Sequence, residues 1–201
     1  PSGVNFVLDE VVGVDPAKRK VEGKKDSYDY DWLIIASGCR IVPEEVDGMM
    51  DDWHGDIHDF FTLEGAVALR KKMKYFKKGR VVFNIAEMPH KCPVVPMEFL
   101  FMADWYFKEA GVRDNIEIEL VTPLADVFTK PIATKILGGI AKEKNINVVP
   151  NFDLSHVNPA EKTIESYKGD TVPYDLLVSI PPNFGAQFLE DSGMGDPMCF
   201  V

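Results

Sequence analysis

Cysteine is scarce in this chain. Cys39, Cys92 and Cys199 are an odd, small set. That argues against a secreted disulfide scaffold and for a reducing, cytoplasmic compartment or a reactive thiol. Positive charge is short too: 22 Lys and Arg against 32 Asp and Glu leave a net charge of -10, which speaks against a nucleic-acid partner. No apolar run approaches the roughly eighteen residues of a membrane span, and no signal peptide opens the chain. His54, His58 and His156 stand at no metal-ligand spacing from any cysteine, so no metal site is expected. No internal repeat or low-complexity tract occurs. What is present is ordinary globular material, 46% hydrophobic over 201 residues, enough for one large domain or two small ones.

Phe6 to Val14 reads as a strand, Lys18 to Gly23 as its hairpin partner and Lys24 to Tyr28 as a polar turn. Tyr30-Asp31-Trp32-Leu33-Ile34-Ile35-Ala36-Ser37-Gly38 follows. Its unbroken apolar run predicts a strand covered on both faces, stopped at Ser37-Gly38 where the backbone turns sharply. Glu44, Glu45, Asp47, Asp51, Asp52 and Asp56 read as a solvated acidic connection and a domain boundary. Thr62 caps a helix running to about Lys78, with Lys71, Lys72, Lys74, Lys77 and Lys78 towards its C-terminal half and Gly79 stopping it. The pattern then continues as strand Arg80 to Ala86, helix Pro96 to Ala110, strand Ile116 to Val121, helix Pro131 to Glu143 and strand Asn147 to Val149. Val157 and the stretch Thr163 to Tyr167 suggest a small hairpin, and Tyr174 to Ile180 a last buried strand. This alternation predicts an α/β, Rossmann-like parallel sheet with helices on both faces.

The loop Ala86-Glu87-Met88-Pro89-His90-Lys91-Cys92-Pro93-Val94-Val95-Pro96-Met97-Glu98 carries the chemistry. A nicotinamide-binding unit needs glycines here, so that a pyrophosphate can reach the helix N-terminus. No glycine occurs between Gly79 and Gly111, and three prolines remove N–H donors. Binding of NAD in the usual way is therefore not expected. A cysteine stands in its place. The helix dipole, Lys91 and His90 would each favour the Cys92 thiolate, and Glu98 is placed to accept or donate a proton.

The order Val11-Val12-Gly13-Val14-Asp15-Pro16, then Tyr30-Asp31 to Ala36-Ser37-Gly38, then Pro43, resembles the second flavin-binding segment of the pyridine nucleotide-disulfide oxidoreductase superfamily. Lys91-Cys92-Pro93-x-x-Pro96-x-Glu98 before an aromatic helix, with Ser179-Ile180-Pro181-Pro182 later, resembles the sulfide:quinone oxidoreductase and flavocytochrome c sulfide dehydrogenase branch. The resemblance implies FAD as cofactor, with Ala36, Ser37, Gly38 and Pro182 near it. Cys92 would take part in sulfur transfer, with Glu98 assisting proton transfer. Sulfide would attack a disulfide or persulfide that includes Cys92, and two electrons would pass through flavin to quinone.

It also implies a fragment of a longer protein: 1–45 as part of an FAD-binding domain, 46–170 as an inserted Rossmann domain and 171–201 as the return, with partial FAD-domain strands at both ends. Such a fragment is expected to be inactive and not to retain FAD. The parent would contact a membrane peripherally through elements absent here, and could form oligomers. Two alternatives stand. One is a type II NADH dehydrogenase or CoA-disulfide reductase-like flavoprotein, against which the missing glycines weigh. The other is a non-catalytic interaction domain in which Cys92 is structural, as Cys199 is taken to be.

Overall fold

The computed structural model describes residues 3–201. The chain forms two compact units. One holds the stretch up to Arg40 together with Asn183–Val201, the other Ile41–Pro182.

The smaller unit is built on three antiparallel strands, β1 (Val11–Asp15), β2 (Lys20–Gly23) and β3 (Ser27–Asp29). The first two form the expected hairpin. The supposed polar turn at 24–28 instead contributes β3, because the Asp9 carboxylate accepts the Lys25 and Asp26 N–H groups and turns the chain back on β2. A short helix, Gln187–Asp191, packs on β1, and Ser192 Oγ accepts the Val14 N–H at 2.9 Å. The buried strand expected over Leu33 to Ala36 does not form. The segment is irregular, and Ile34 is 90% and Trp32 92% exposed. A strand exists only where neighbours meet its N–H and C=O groups, and no described strand pairs with this segment. Phe6 and Leu8, expected in the first strand, are likewise exposed and outside it. The turn itself is as expected, with Gly38 at φ +71°.

Two-residue strands β4 (Arg40–Ile41) and β5 (Ile57–His58) precede the larger unit's long elements. These are α1 (Leu63–Tyr75), β6 (Gly79–Ile85), α2 (Val95–Glu109), β7 (Ile116–Val121), α3 (Pro131–Glu143) and β8 (Ile146–Val149). Then come β9 (Leu154–Asn158), β10 (Thr163–Ser166), β11 (Thr171–Pro173) and β12 (Leu176–Ile180), with β13 (Asn183–Phe184) beyond them. The sheet is parallel, in order β5-β12-β6-β7-β8. This is the expected α/β, Rossmann-like class.

The helices, expected on both faces, pack against one. Val81, Phe83 and Ile85 of β6 share a core with Leu69 of α1, Leu100 and Phe107 of α2 and Ala141 of α3. Handedness explains this: every crossover from β5 through β8 steps in the same direction across the sheet, so right-handed connections place α1, α2 and α3 together. The return from β8 to β12 steps the other way. It covers the second face with the antiparallel β9-β10-β11 meander, whose Leu154, Val157 and Ile164 meet Val82 and Leu177.

Two polar clusters fix this frame. Asp104 of α2 is fully buried and ion-paired to Lys108, Arg113 and Lys144, joining α2 to the end of α3. Burial pushes its pKa up, but hydrogen bonds from the three cations outweigh this and hold it down to about 2. The acidic connection is not simply solvated. Asp56 is ion-paired to Lys72 and Lys162, and the neighbouring Asp59 carboxylate, fully buried, accepts the Thr62 N–H at 2.8 Å at the head of α1.

Candidate functional site

The loop 86–94 leads from β6 into α2. Pro96 sits in the helix's first turn, as its fixed φ favours. Cys92 is half-buried just ahead of that turn, and its backbone carbonyl accepts the Val95 N–H at 3.3 Å. Glu98 is exposed in the first turn, and no hydrogen bond joins it to the Cys92 thiol among the described residues. Of the cationic support expected for the thiolate, His90 does not supply its part. Burial pushes its pKa down, and its Nδ1 is buried without a partner. The Lys91 ammonium lies 4.6 Å from the centroid of the Phe61 ring.

Pro182 is buried at the carboxyl end of β12, where its carbonyl accepts the Val42 N–H at 2.8 Å. It lines a crevice of about 370 Å³ with Ala86, Glu87 and Met88 from the end of β6. This is where an open α/β sheet takes its ligand, outside the strand ends where the strand order reverses between β6 and β12. The crevice also carries Glu45 and Asp153, so three carboxylates and no basic side chain line it. A pyrophosphate would meet like charge there as well as a glycine-free loop. Sequence reading missed this acidic lining. Its one signal was Glu87, two residues past the last residue of β6, in the position that must approach a bound dinucleotide.

Ala36, Ser37 and Gly38 belong to the smaller unit. Ala36 and Ser37 line a cleft of about 480 Å³ with Val11, Val14, Ile35 and Phe188. Ser37 carries the only polar side chain of that lining. The cleft therefore suits the face of an apolar or aromatic ring, and its lining carries no charged side chain. Of the expected site residues, the larger unit carries Cys92, Glu98 and Pro182, and only Pro182 lines the crevice. Cys39 is half-buried, with its thiol 3.6 Å from Asn183 Oδ1. Cys199 is buried, and burial raises its pKa. No group of three or more metal-ligating side chains occurs among the described residues, and no helix among them is long and apolar enough to cross a membrane.

No protein-family model matches the chain. Among curated proteins it is similar to the mitochondrial sulfide:quinone oxidoreductases of Mus musculus and Dictyostelium discoideum. The first is 27% identical over 211 residues, covering 100% of this chain and 46% of that protein. The second is 24% identical over 205 residues, covering 98% and 45%. The chain thus spans about half the length of the curated relatives it matches. Among solved structures it is similar to the sulfide:quinone oxidoreductase of Aquifex aeolicus, at TM-score 0.78 and 20% identity over 96% of this chain and 46% of that one. It is also similar to putidaredoxin reductase in its covalent complex with putidaredoxin, at TM-score 0.60 and 17% identity over 87% of this chain and 40% of that one.

Proposed function

We infer, for a chain homologous to the sulfide:quinone oxidoreductases, that it is a portion of an FAD-dependent enzyme that oxidises sulfide and reduces a quinone. One observation carries the reading: the homology runs through the whole chain, including the loop in which a half-exposed cysteine replaces the glycines of a nicotinamide site. The acid-lined crevice supports it further, because it disfavours the NADH-oxidising alternative.

In this reading Cys92 is one half of a disulfide in the longer protein: sulfide attacks Cys92 Sγ, the S–S bond breaks with the partner sulfur leaving as a thiolate, and the disulfide is thereby the two-electron oxidant that leaves a persulfide on Cys92. Glu98 carries the proton released, and Pro182 closes the end of β12. The smaller unit, within the proposed 1–45 and 171–201 portions of an FAD-binding domain, presents Ala36, Ser37 and Gly38 to the flavin. The segment 46–170 is the inserted domain. FAD, when bound, supplies a two-electron acceptor. The lining of the smaller unit's cleft carries no charged side chain for a phosphate, and the chain by itself is proposed to retain no FAD and to be inactive alone. The parent is proposed to lie peripherally on a membrane, where its quinone is.

The test is made on the longer protein that carries this chain. Its bound flavin is reduced anaerobically with sulfide and, separately, with NADH, in wild type and Cys92→Ala. Bleaching by sulfide that is lost in the variant and unmatched by NADH is expected. Bleaching by NADH with the variant unaffected would overturn the reading.

A further inference from the structure

Four phenylalanine rings form a stack that runs from the core to the Cys92 loop. Phe83 of β6 is fully buried and stacks on Phe99 of α2, with the ring centroids 5.0 Å apart. Phe99 stacks on Phe60 at 5.1 Å, and Phe60 on Phe61 at 5.1 Å. These separations are those of offset-stacked aromatic pairs. Lys91 closes the outer end, its ammonium 4.6 Å from the Phe61 centroid. The face of an aromatic ring is its negative side, so the cation is attracted there.

The local sequence explains why the two outer rings are presented together. Phe60 and Phe61 lie between Asp59 and Thr62, and the buried Asp59 carboxylate accepts both the N–H and the hydroxyl of Thr62. That closes a tight turn around the two phenylalanines just ahead of α1. Phe83 and Phe99 belong to the strand and the helix that the Cys92 loop joins. Within that loop, Lys91 is the neighbour of Cys92. Met88 and Val95, on either side, pack against the same core. The contact with Phe61 therefore pins the middle of a span whose ends are already held. Pro89 and Pro93 stiffen this span through their fixed φ, so a displacement at Lys91 passes to Cys92.

We propose that Phe61 and Lys91 are positioning residues for Cys92: the ammonium held on the outermost ring of the stack fixes the pose of the loop and keeps the thiol half-buried. The role rests on the reading of Cys92 as the residue that sulfide attacks. A disulfide requires its two β-carbons about 3.8 Å apart, so a cysteine that must meet a partner sulfur tolerates little displacement of its loop.

The test alkylates the 201-residue chain with iodoacetamide from about pH 7 to about pH 9.5 and follows Cys92 by peptide mass spectrometry. The quantity read is the rate constant of the thiolate fitted from the pH profile, which separates access to the sulfur from its ionisation. Labelling needs neither flavin nor sulfide, so it can fail while the sulfide reading stands, and the reverse. Cys92 is expected to label about two- to fivefold faster in Phe61→Leu and in Lys91→Gln, the opening that one cation–π contact holds back. The double variant is expected to be no faster than either single one, because both remove the same interaction. Phe61→Tyr and Lys91→Arg keep a ring and a cation, and are expected to label at the wild-type rate. Leucine at position 61 also shortens the ring stack, whereas glutamine at the exposed Lys91 leaves it whole, so Lys91→Gln decides. An unchanged or slower rate in Lys91→Gln, effects that multiply in the double variant, or fast labelling in Phe61→Tyr each overturns the proposal.

Discussion

The carboxylate of Asp59 occupies the space that a β-carbon on Gly65 would need: Asp59 Oδ1 would lie 1.9 Å from it. That carboxylate is held by the Thr62 N–H and hydroxyl and faces His54 Nε2 at 3.4 Å, so it is not free to swing aside. Alanine for glycine inside a helix ordinarily gains about 1 kcal/mol. At this position the overlap is expected to reverse the sign, so that Gly65→Ala destabilises by about 1–2 kcal/mol. In an Asp59→Ala background the same substitution should become neutral or stabilising. A urea-unfolding cycle of the four proteins measures this, and a stabilising Gly65→Ala in the wild-type background contradicts it.

Asp104 provides a pH dependence. Its folded pKa is held down to about 2, below the ordinary 3.8. A depressed carboxylate stabilises the folded state above the unfolded pKa and loses that contribution as pH falls towards the folded one. Wild type should therefore lose stability relative to Asp104→Asn between about pH 4 and pH 2. Near pH 7 the variant should be less stable by about 3 kcal/mol, the low end for a broken buried pair because Lys108 is half exposed. Unfolding midpoints at stepped pH decide it, and parallel curves for the two proteins would contradict the assignment.

The three thiols should separate by accessibility. Cys92 and Cys39 are half-buried, whereas Cys199 is buried and its pKa is raised. Alkylation by iodoacetamide at pH 8, followed by peptide mass spectrometry, should label Cys92 at least about tenfold faster than Cys199. Equal rates would mean that the Cys199 site opens as readily as the Cys92 loop.

The crevice at the ends of β6 and β12 should refuse dinucleotides. With Glu45, Glu87 and Asp153 around it, NADH is expected to bind no tighter than about 1 mM, measured by calorimetry on this chain. Micromolar binding would show that the carboxylates lie away from the path of the pyrophosphate.

Much of the larger unit was legible in the sequence because its punctuation is local. Pro131 opens α3 where expected, Thr62 caps α1 through its side chain on the Gly65 N–H, and Gly111 follows α2 at φ +69°. What was not legible depends on distance. Periodicity says that a helix is amphipathic, not which side of a sheet it crosses, so the one-sided helix layer was missed. Leu33 to Ala36 carries every local mark of a buried strand, yet strand formation depends on neighbours that the segment itself does not specify. Asp104 is buried in an aromatic helix, a role the sequence reading did not single out. Its partners Arg113 and Lys144 lie 9 and 40 residues further on, beyond any short-range pattern. Within the candidate site Cys92 stood out by composition, whereas the neutrality of His90 follows from burial alone.

The strand order also sets a timetable. β12 lies between β5 and β6 but is made after every other strand of the sheet, and the Ser179 hydroxyl that pairs with Asn84 is 95 residues away from it. As the chain emerges during synthesis, β6, α2, β7, α3 and β8 can assemble first as a half-sheet. Until β12 arrives, one edge of β6 stays open, the Asn84 amide lacks its hydroxyl partner, and β5 has nothing to pair with. Closure must then bring together segments far apart along the chain, a slow step by loop entropy and parallel topology. The vulnerable species in the life of this protein is therefore the half-sheet awaiting its central strand, and chaperone dependence should track the rate of that insertion.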